Sequence, residues 1–400
     1  MKVFLSLIVA FSLTCQLSIA ERKKKPISIP FEIVGSYVIV KLEINNSNPL
    51  NLILDSGVRN TIITELTPDD SISLNYSNSS ALKGLGNGSE LQALTSYRNS
   101  MKIGKMLLED QTIIVLEKDV FNLSKFTGTK INGLLGSDIF QSHIVEINYD
   151  RKRLLFHDPE GFVVPANYTP IYLSIEGQKM FVQIPITEEN GTKREAKMLV
   201  DTGAELAAWF RSYGSRSIAM PKNKMRGFIG QGLNGEITGF VGRIPEIRLG
   251  DAILKSPVVT FPDSISIAEA TSEGERDGTL GSQLLNRFNL IFDVQNNLMY
   301  LKPNSNFKKR FSYNIAGIEI FQQNYFLRIP EVMIVSPGSP ADSAGVKKGD
   351  QIMEINGRKT YEYNINEIRS IFETPARWLR LVLSRNDEEI SVKIDMKSKI

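Results

Sequence analysis

Leu52-Ile53-Leu54-Asp55-Ser56-Gly57 and Met198-Leu199-Val200-Asp201-Thr202-Gly203 decide how this chain is read: three apolar residues run into Asp, a small hydroxyl and Gly, twice. The two aspartates are 146 residues apart. A second marker repeats almost in phase, Gly133-Leu134-Leu135-Gly136-Ser137 and then Gly278-Thr279-Leu280-Gly281-Ser282, 145 residues on. Between them a glycine-rich segment recurs, Gly84-Leu85-Gly86-Asn87-Gly88 and Gly230-Gln231-Gly232-Leu233-Asn234-Gly235, each starting 29 residues after its aspartate. One Asp-Thr-Gly alone is an ordinary turn tripeptide. Three markers at matched spacing are an internal duplication.

Around these markers the pattern is that of short strands. Tyr37 to Ile44 alternates apolar and polar residues late in its run and is broken by Asn45-Asn46-Ser47-Asn48-Pro49. Each copy closes on a hairpin: His143 to Tyr149 with Leu154-Leu155-Phe156, and Asn289 to Val294 with Leu298 to Leu301. This predicts two mostly β lobes, 27–165 and 166–303. A polar, basic segment at 304–312 reads as a linker, and a third module follows at 313–396.

Composition narrows the function classes. Lys and Arg number 47 against 44 Asp and Glu, a net charge of +3, with no basic stripe for nucleic acid. Lys2, the apolar run from Val3 to about Leu13, and Ser18-Ile19-Ala20 read as a signal peptide over 1–20, too short to span a bilayer. Export to the periplasm or the extracellular space is therefore expected, with no membrane span in the mature chain. The single cysteine, Cys15, falls inside that signal, and Leu13 is misplaced for a lipoprotein site. A mature chain without cysteine has no disulfides and no thiol nucleophile, and suits a bacterial envelope. The only histidines are His143, on the first closing hairpin, and His157, directly after it; both read as structural residues, which leaves no Ser-His-Asp triad.

Two aspartates at the ends of apolar runs point to acid–base chemistry. Like charges in one site cannot both ionise, so the pair holds one proton. The ionised member takes a proton from water while the protonated one donates to a scissile carbonyl. On these residues the chain resembles pepsin-like and retroviral-type aspartic proteases, over about residues 30–302. The resemblance implies a dyad of Asp55 and Asp201, braced across the lobes by Ser56, Gly57, Thr202 and Gly203. The two apolar-apolar-Gly segments would lie beneath the catalytic loops. The glycine segments, with Gly84, Gly86, Gly88, Gly232 and Gly235, look like flaps over a peptide or protein substrate. No metal or organic cofactor is implied, and because one chain carries both halves, a monomer can be active.

Two departures from that pattern stand out. Val58 and Ala204 occupy positions where many pepsins carry a hydroxyl, so the dyad should lose a bond to its charged form and work nearer neutrality. There is no counterpart of pepsin's flap tyrosine, so the duplicated flaps are more similar to the retroviral arrangement.

Residues 313–396 resemble a PDZ domain through Ile315-Ala316-Gly317-Ile318-Glu319-Ile320, the Ser339-Pro340-Ala341 to Gly349-Asp350-Gln351-Ile352 stretch, and Ile355-Asn356-Gly357. The resemblance implies an extended peptide adding along a groove, its C-terminal carboxylate held by backbone N–H groups at Ala316, Gly317 and Ile318. Ile365, Ile368, Ile371 and Phe372 have helical spacing and should flank that groove, with Ile368 and Phe372 packed inward. The chain's own apolar end, Ile400, is a candidate occupant. The whole is expected to be mostly β: a two-lobed pepsin/retropepsin-like β-barrel unit followed by an α+β PDZ domain. Its expected activity is that of an exported aspartic endopeptidase. The alternative is an envelope adaptor that holds extended peptides without cutting them.

Overall fold

The computed structural model describes residues 25–82, 85–86, 91–272, 276–323 and 328–400. The signal-peptide reading therefore lies outside the described residues, as do Gly84 and Gly88. Among the described residues no helix is long and apolar enough to cross a membrane.

The duplicated markers build the same local structure twice. In the first lobe, strand Leu50–Leu54 pairs in parallel with Gly133–Leu135, Leu52 opposite Gly133. In the second, Lys193–Val200 pairs in parallel with Gly278–Leu280, Met198 opposite Gly278. The glycines are needed because the next strand of the sheet, Thr61–Ile63 in the first lobe and Ala208–Phe210 in the second, runs hard against them. A Cβ at Gly133 would stand 2.0 Å from the Ile62 carbonyl oxygen, and one at Gly278 would stand 1.9 Å from that of Trp209. The apolar-apolar-Gly segments thus lie under the Asp-(Ser/Thr)-Gly loops. The Asp55 amide donates to the Leu135 carbonyl at 2.9 Å, and that of Asp201 to Leu280 at 3.0 Å.

Each lobe folds on its own sheet, of eight strands in the first and ten in the second. Alternation in Tyr37–Ile44 buries Val38, Val40, Leu42 and Ile44 and leaves Lys41 at the surface. The two closing hairpins do not stay in their lobes. They pair with one another, Val145 opposite Phe292 and Ile147 opposite Leu290, in a six-stranded sheet shared by both lobes. Strands Ile27–Pro30 and Thr169–Tyr172 form its edges. Phe140 meets Phe292 edge-to-face at 4.9 Å, and the Tyr149 amide donates to Asn289 Oδ1 at 2.9 Å. The hydrophobic interior therefore runs unbroken from lobe to lobe.

His143 and His157 are structural. The first packs edge-to-face on Phe156, and the second bonds Glu146 Oε2 at 3.1 Å.

The segment read as a linker is strapped down. The Arg287 guanidinium donates to the carbonyls of Asn306, Phe307, Lys309 and Arg310, and stacks on the Phe311 ring at 3.6 Å.

Beyond it, strands Ile318–Gln322, Pro330–Val335, Gln351–Ile355, Ala376–Arg385 and Glu388–Met396 form the C-terminal sheet. Helix Ile365–Glu373 packs over it with Ile365, Ile368 and Phe372 buried. Asn364 caps this helix, accepting from the amides of Asn366 and Glu367.

Candidate active site

The two Asp-(Ser/Thr)-Gly loops meet where the lobes join, and each braces the other. The Ser56 amide donates to Thr202 Oγ1 at 3.0 Å, and the Thr202 amide returns a bond to Ser56 Oγ at 3.0 Å. Each hydroxyl then donates across the joint, Ser56 to the Val200 carbonyl at 2.8 Å and Thr202 to that of Leu54 at 2.7 Å. All four groups are buried, so the bonds are made away from competing water.

This brace sets the carboxyls face to face. The Gly57 amide donates to Asp55 Oδ1 at 2.8 Å, and that of Gly203 to Asp201 Oδ1 at 2.9 Å. Each carboxyl also lies against the other lobe's glycine. A Cβ on Gly203 would be 2.2 Å from the Asp55 carboxyl carbon, and one on Gly57 would be 2.6 Å from that of Asp201. Glycine at these two positions is what lets two carboxyls share one small space.

Both carboxyls are pushed up from the ordinary range. Burial is the main cause for each, and the charge of Asp201 adds to it at Asp55. The Val58 amide does part of the work of the missing hydroxyl, donating to Asp55 Oδ1 at 3.2 Å. On Asp201 the Gly203 amide and the Arg276 guanidinium pull the other way. Arg276 is 5 % exposed and its guanidinium lies 5.2 Å from the Trp209 ring.

Two hairpins line the cavity that the paired carboxyls face. One is made of Lys224–Gly232 and Gly235–Arg243, and its counterpart of Tyr76–Leu82 and Leu91–Ile103. Their tips touch, the Asn234 amide donating to the Leu85 carbonyl at 2.8 Å, and the first tip is also tied to helix Ser264–Ser272, the Gly86 amide donating to the Ser266 carbonyl at 2.9 Å. Gly86, at φ +122°, and Gly232 permit the approach, since a Cβ on Gly232 would be 2.1 Å from the Leu85 oxygen. Gly235, at φ +109°, turns the chain into the returning strand.

Between dyad and flaps lies a cavity of about 570 Å³. Its walls include Phe126 of the first lobe, stacked on Phe228 of the second at 6.5 Å. Its far wall is the C-terminal module. There the loop expected to hold a carboxylate is already engaged: the Gly317 and Ile318 amides donate to Asn314 Oδ1 at 2.9 and 3.4 Å, and Ala316 to the Phe372 carbonyl at 3.2 Å. Ile400 is not on the cavity wall. The Lys399 amide donates to the Tyr313 hydroxyl at 2.8 Å and Ser398 Oγ to the Ile400 carbonyl at 2.7 Å, and the half-buried Ile400 side chain packs against the hydrophobic interior.

The sequence reading did not find Arg276, Tyr37, Glu205 or Arg369 on the cavity wall. None belongs to a repeated motif, though Arg276 stands two residues before Gly278 and Glu205 two residues after Gly203.

Comparison with known families agrees with this geometry. A profile described as aspartyl protease matches residues 40–139 and 184–284, and one described as PDZ domain matches 331–394. A search of curated proteins gives no match.

Proposed function

From a chain that belongs to the aspartyl protease family and carries a C-terminal PDZ domain, we propose an endopeptidase whose catalytic pair is Asp55 and Asp201. The observation that carries this reading is that each carboxyl rests against the opposite lobe's glycine, a Cβ's distance away. Two acids so close and so buried keep one proton between them. The ionised carboxylate takes a proton from a water in the cavity. The resulting hydroxide equivalent attacks the peptide carbonyl while the protonated carboxyl donates to its oxygen. The carboxyl that took the water proton then gives it to the leaving amine as the C–N bond breaks, while a hydroxyl of the tetrahedral intermediate returns its proton to the other carboxylate as the C=O bond re-forms, so the pair ends with one proton, as it began.

The Arg276 guanidinium favours the charged form of Asp201, which supports Asp201 as the base at rest and Asp55 as the holder of the proton. The meeting flaps support an extended chain held against the dyad with water excluded. The signal-like N-terminus supports the further proposal that the enzyme works outside the cytoplasm, in the periplasm or beyond. Both half-sites lie in one chain, which supports an active monomer.

The test is to incubate wild type, Asp55→Asn and Asp201→Asn with a diverse peptide library across a pH series and read cleavage by mass spectrometry. Cleavage by wild type alone, with an optimum between weakly acid and neutral, is expected because both carboxyls are raised. An optimum at roughly pH 2–3, below the ordinary carboxyl range, would overturn the pH assignment. Peptide binding by three folded proteins without cleavage would establish the adaptor instead.

A further inference from the structure

The PDZ groove faces the catalytic cavity and is masked. Asn314, Gly317, Glu319, Ser336, Arg369 and Glu373 line the same space as Asp55 and Asp201. Three contacts close the groove to a peptide. Asn314 Oδ1 occupies the amides of Gly317 and Ile318, as described. Strand Ile318–Gln322 is the edge of its sheet, and Arg369 Nη2 donates to its Ile320 carbonyl at 3.3 Å, a group an added strand would need. The first lobe seals the other end with helix Leu123–Thr127 and Gly128: a Cβ on Gly128 would be 2.5 Å from Gln322 Oε1 and 2.9 Å from Ile365 Cγ2. The Arg369 guanidinium also lies 6.0 Å from the Phe126 ring, and so touches the Phe126–Phe228 stack across the cavity. A ligand enters the full groove only if the module separates from the lobes.

The charges at this joint are unbalanced. Glu205 of the second lobe, Glu319 of the edge strand and Glu373 of the helix all lie within electrostatic reach of Arg369. Glu205 Oε1 accepts from the Ser36 amide at 3.1 Å, Glu319 Oε1 from Asn314 Nδ2 at 3.0 Å, and Glu373 Oε2 from Ser312 Oγ at 2.6 Å. Tyr37 faces Glu205, Arg369 and the dyad from the first lobe, and Lys179 lines the second-lobe wall. Among the described residues Arg369 is the cation that acts on all three; it balances one ionised carboxyl, and a second and third charge repel across the joint.

We propose that this cluster is a proton-operated latch: with its carboxyls protonated the PDZ module stays docked and its groove masked, and their ionisation drives the module off the lobes, exposing the groove and opening that end of the catalytic cavity.

The direction follows from burial, which raises all three carboxyls and takes Glu319 to about 7, with Arg369 partly opposing. A carboxyl raised in the docked form favours docking below its undocked pKa, and that advantage is lost as pH climbs to the docked value. Over that interval each such carboxyl weakens docking by roughly tenfold per pH unit. The latch does not depend on the catalytic reading, so its test uses no substrate.

For the full chain, X-ray scattering and hydrogen exchange, corrected for intrinsic rates, would be compared at about pH 5 and about pH 8, below and above the Glu319 value. Wild type should expand at the higher pH and lose protection in Ile318–Gln322 and Leu123–Thr127. Glu205→Gln/Glu319→Gln should remain compact at both. Gly128→Asn, which adds a side chain against Gln322 and Ile365 with a residue that tolerates positive φ, should be expanded at both. A wild type unchanged between the two pH values while Gly128→Asn is expanded would overturn the latch, as would a double variant that opens with pH as wild type does.

Discussion

Asp55 and Asp201 come from matching loops but sit in unlike surroundings, because only Asp201 has the buried Arg276 cation acting on it. That cation favours the ionised form and so holds the dyad's lower step down. Arg276→Gln should therefore shift the acid limb of the kcat/KM profile to higher pH, while Arg276→Lys should restore most of the wild-type limb. A limb unmoved by either substitution would confine Arg276 to packing on Trp209. At this scale the sequence was legible only where a residue recurred. Asp55 and Asp201 stood out through their matched spacing to two further markers, and so did the glycines. Arg276 has no partner at the corresponding place in the first lobe, where Ile131 stands, and a single cation carries no pattern. Glu205 directly follows the second loop yet gains its significance only from Arg369, which lies 164 residues further along.

The next scale is that of the loops and strands, where Ser56 and Thr202 tie two elements into one. Their bonds are reciprocal and buried, so removing one hydroxyl leaves groups on both lobes unpaired. Thr202→Ala should cost about 1–3 kcal/mol, the penalty for buried unsatisfied polar groups. It should also lower kcat more than it raises KM, since the loop would lose its setting rather than its substrate contacts. Thr202→Ser keeps the hydroxyl and should recover most of both. Denaturant midpoints together with steady-state kinetics decide it, and a loss in the Ala variant smaller than the extrapolation error would refute the assignment. Individual strands and hairpins were readable because alternation and turn residues are local signals, as in Tyr37–Ile44 and in both closing hairpins. Their partnership was not. The register of Val145 against Phe292 depends on packing between segments that nothing in the intervening sequence announces.

At the scale of the whole molecule, the lobes and the PDZ module share one hydrophobic interior, and a segment that reads as a flexible linker is part of the join. Lys302-Pro303-Asn304-Ser305-Asn306 and Lys308-Lys309-Arg310 have a linker's composition, and residues outside them fix their course: Asp150 and Asn286 hold Asn304 to Asn306, and Arg287 holds Asn306 to Arg310. Arg287 is 6 % exposed, and burial pushes its guanidinium down to about 10. Five backbone carbonyls, four of the segment and that of Gln283, and the Phe311 ring surround it, a geometry that suits the planar fork of arginine and not the compact ammonium of lysine. Arg287→Lys should therefore behave nearly as badly as Arg287→Gln: each leaves carbonyls unpaired and frees the segment between the second lobe and the module. The segment contains its own reporter, since Lys308, Lys309 and Arg310 are trypsin sites whose backbone is held in wild type by these bonds. Both variants should be cut there faster than wild type at a temperature where all three remain folded, releasing the module from the lobes. Equal cleavage rates would mean that Phe311 and the docked groove fix the segment without Arg287. The join would then rest on the module's contacts with the first lobe, and pH alone would govern its opening.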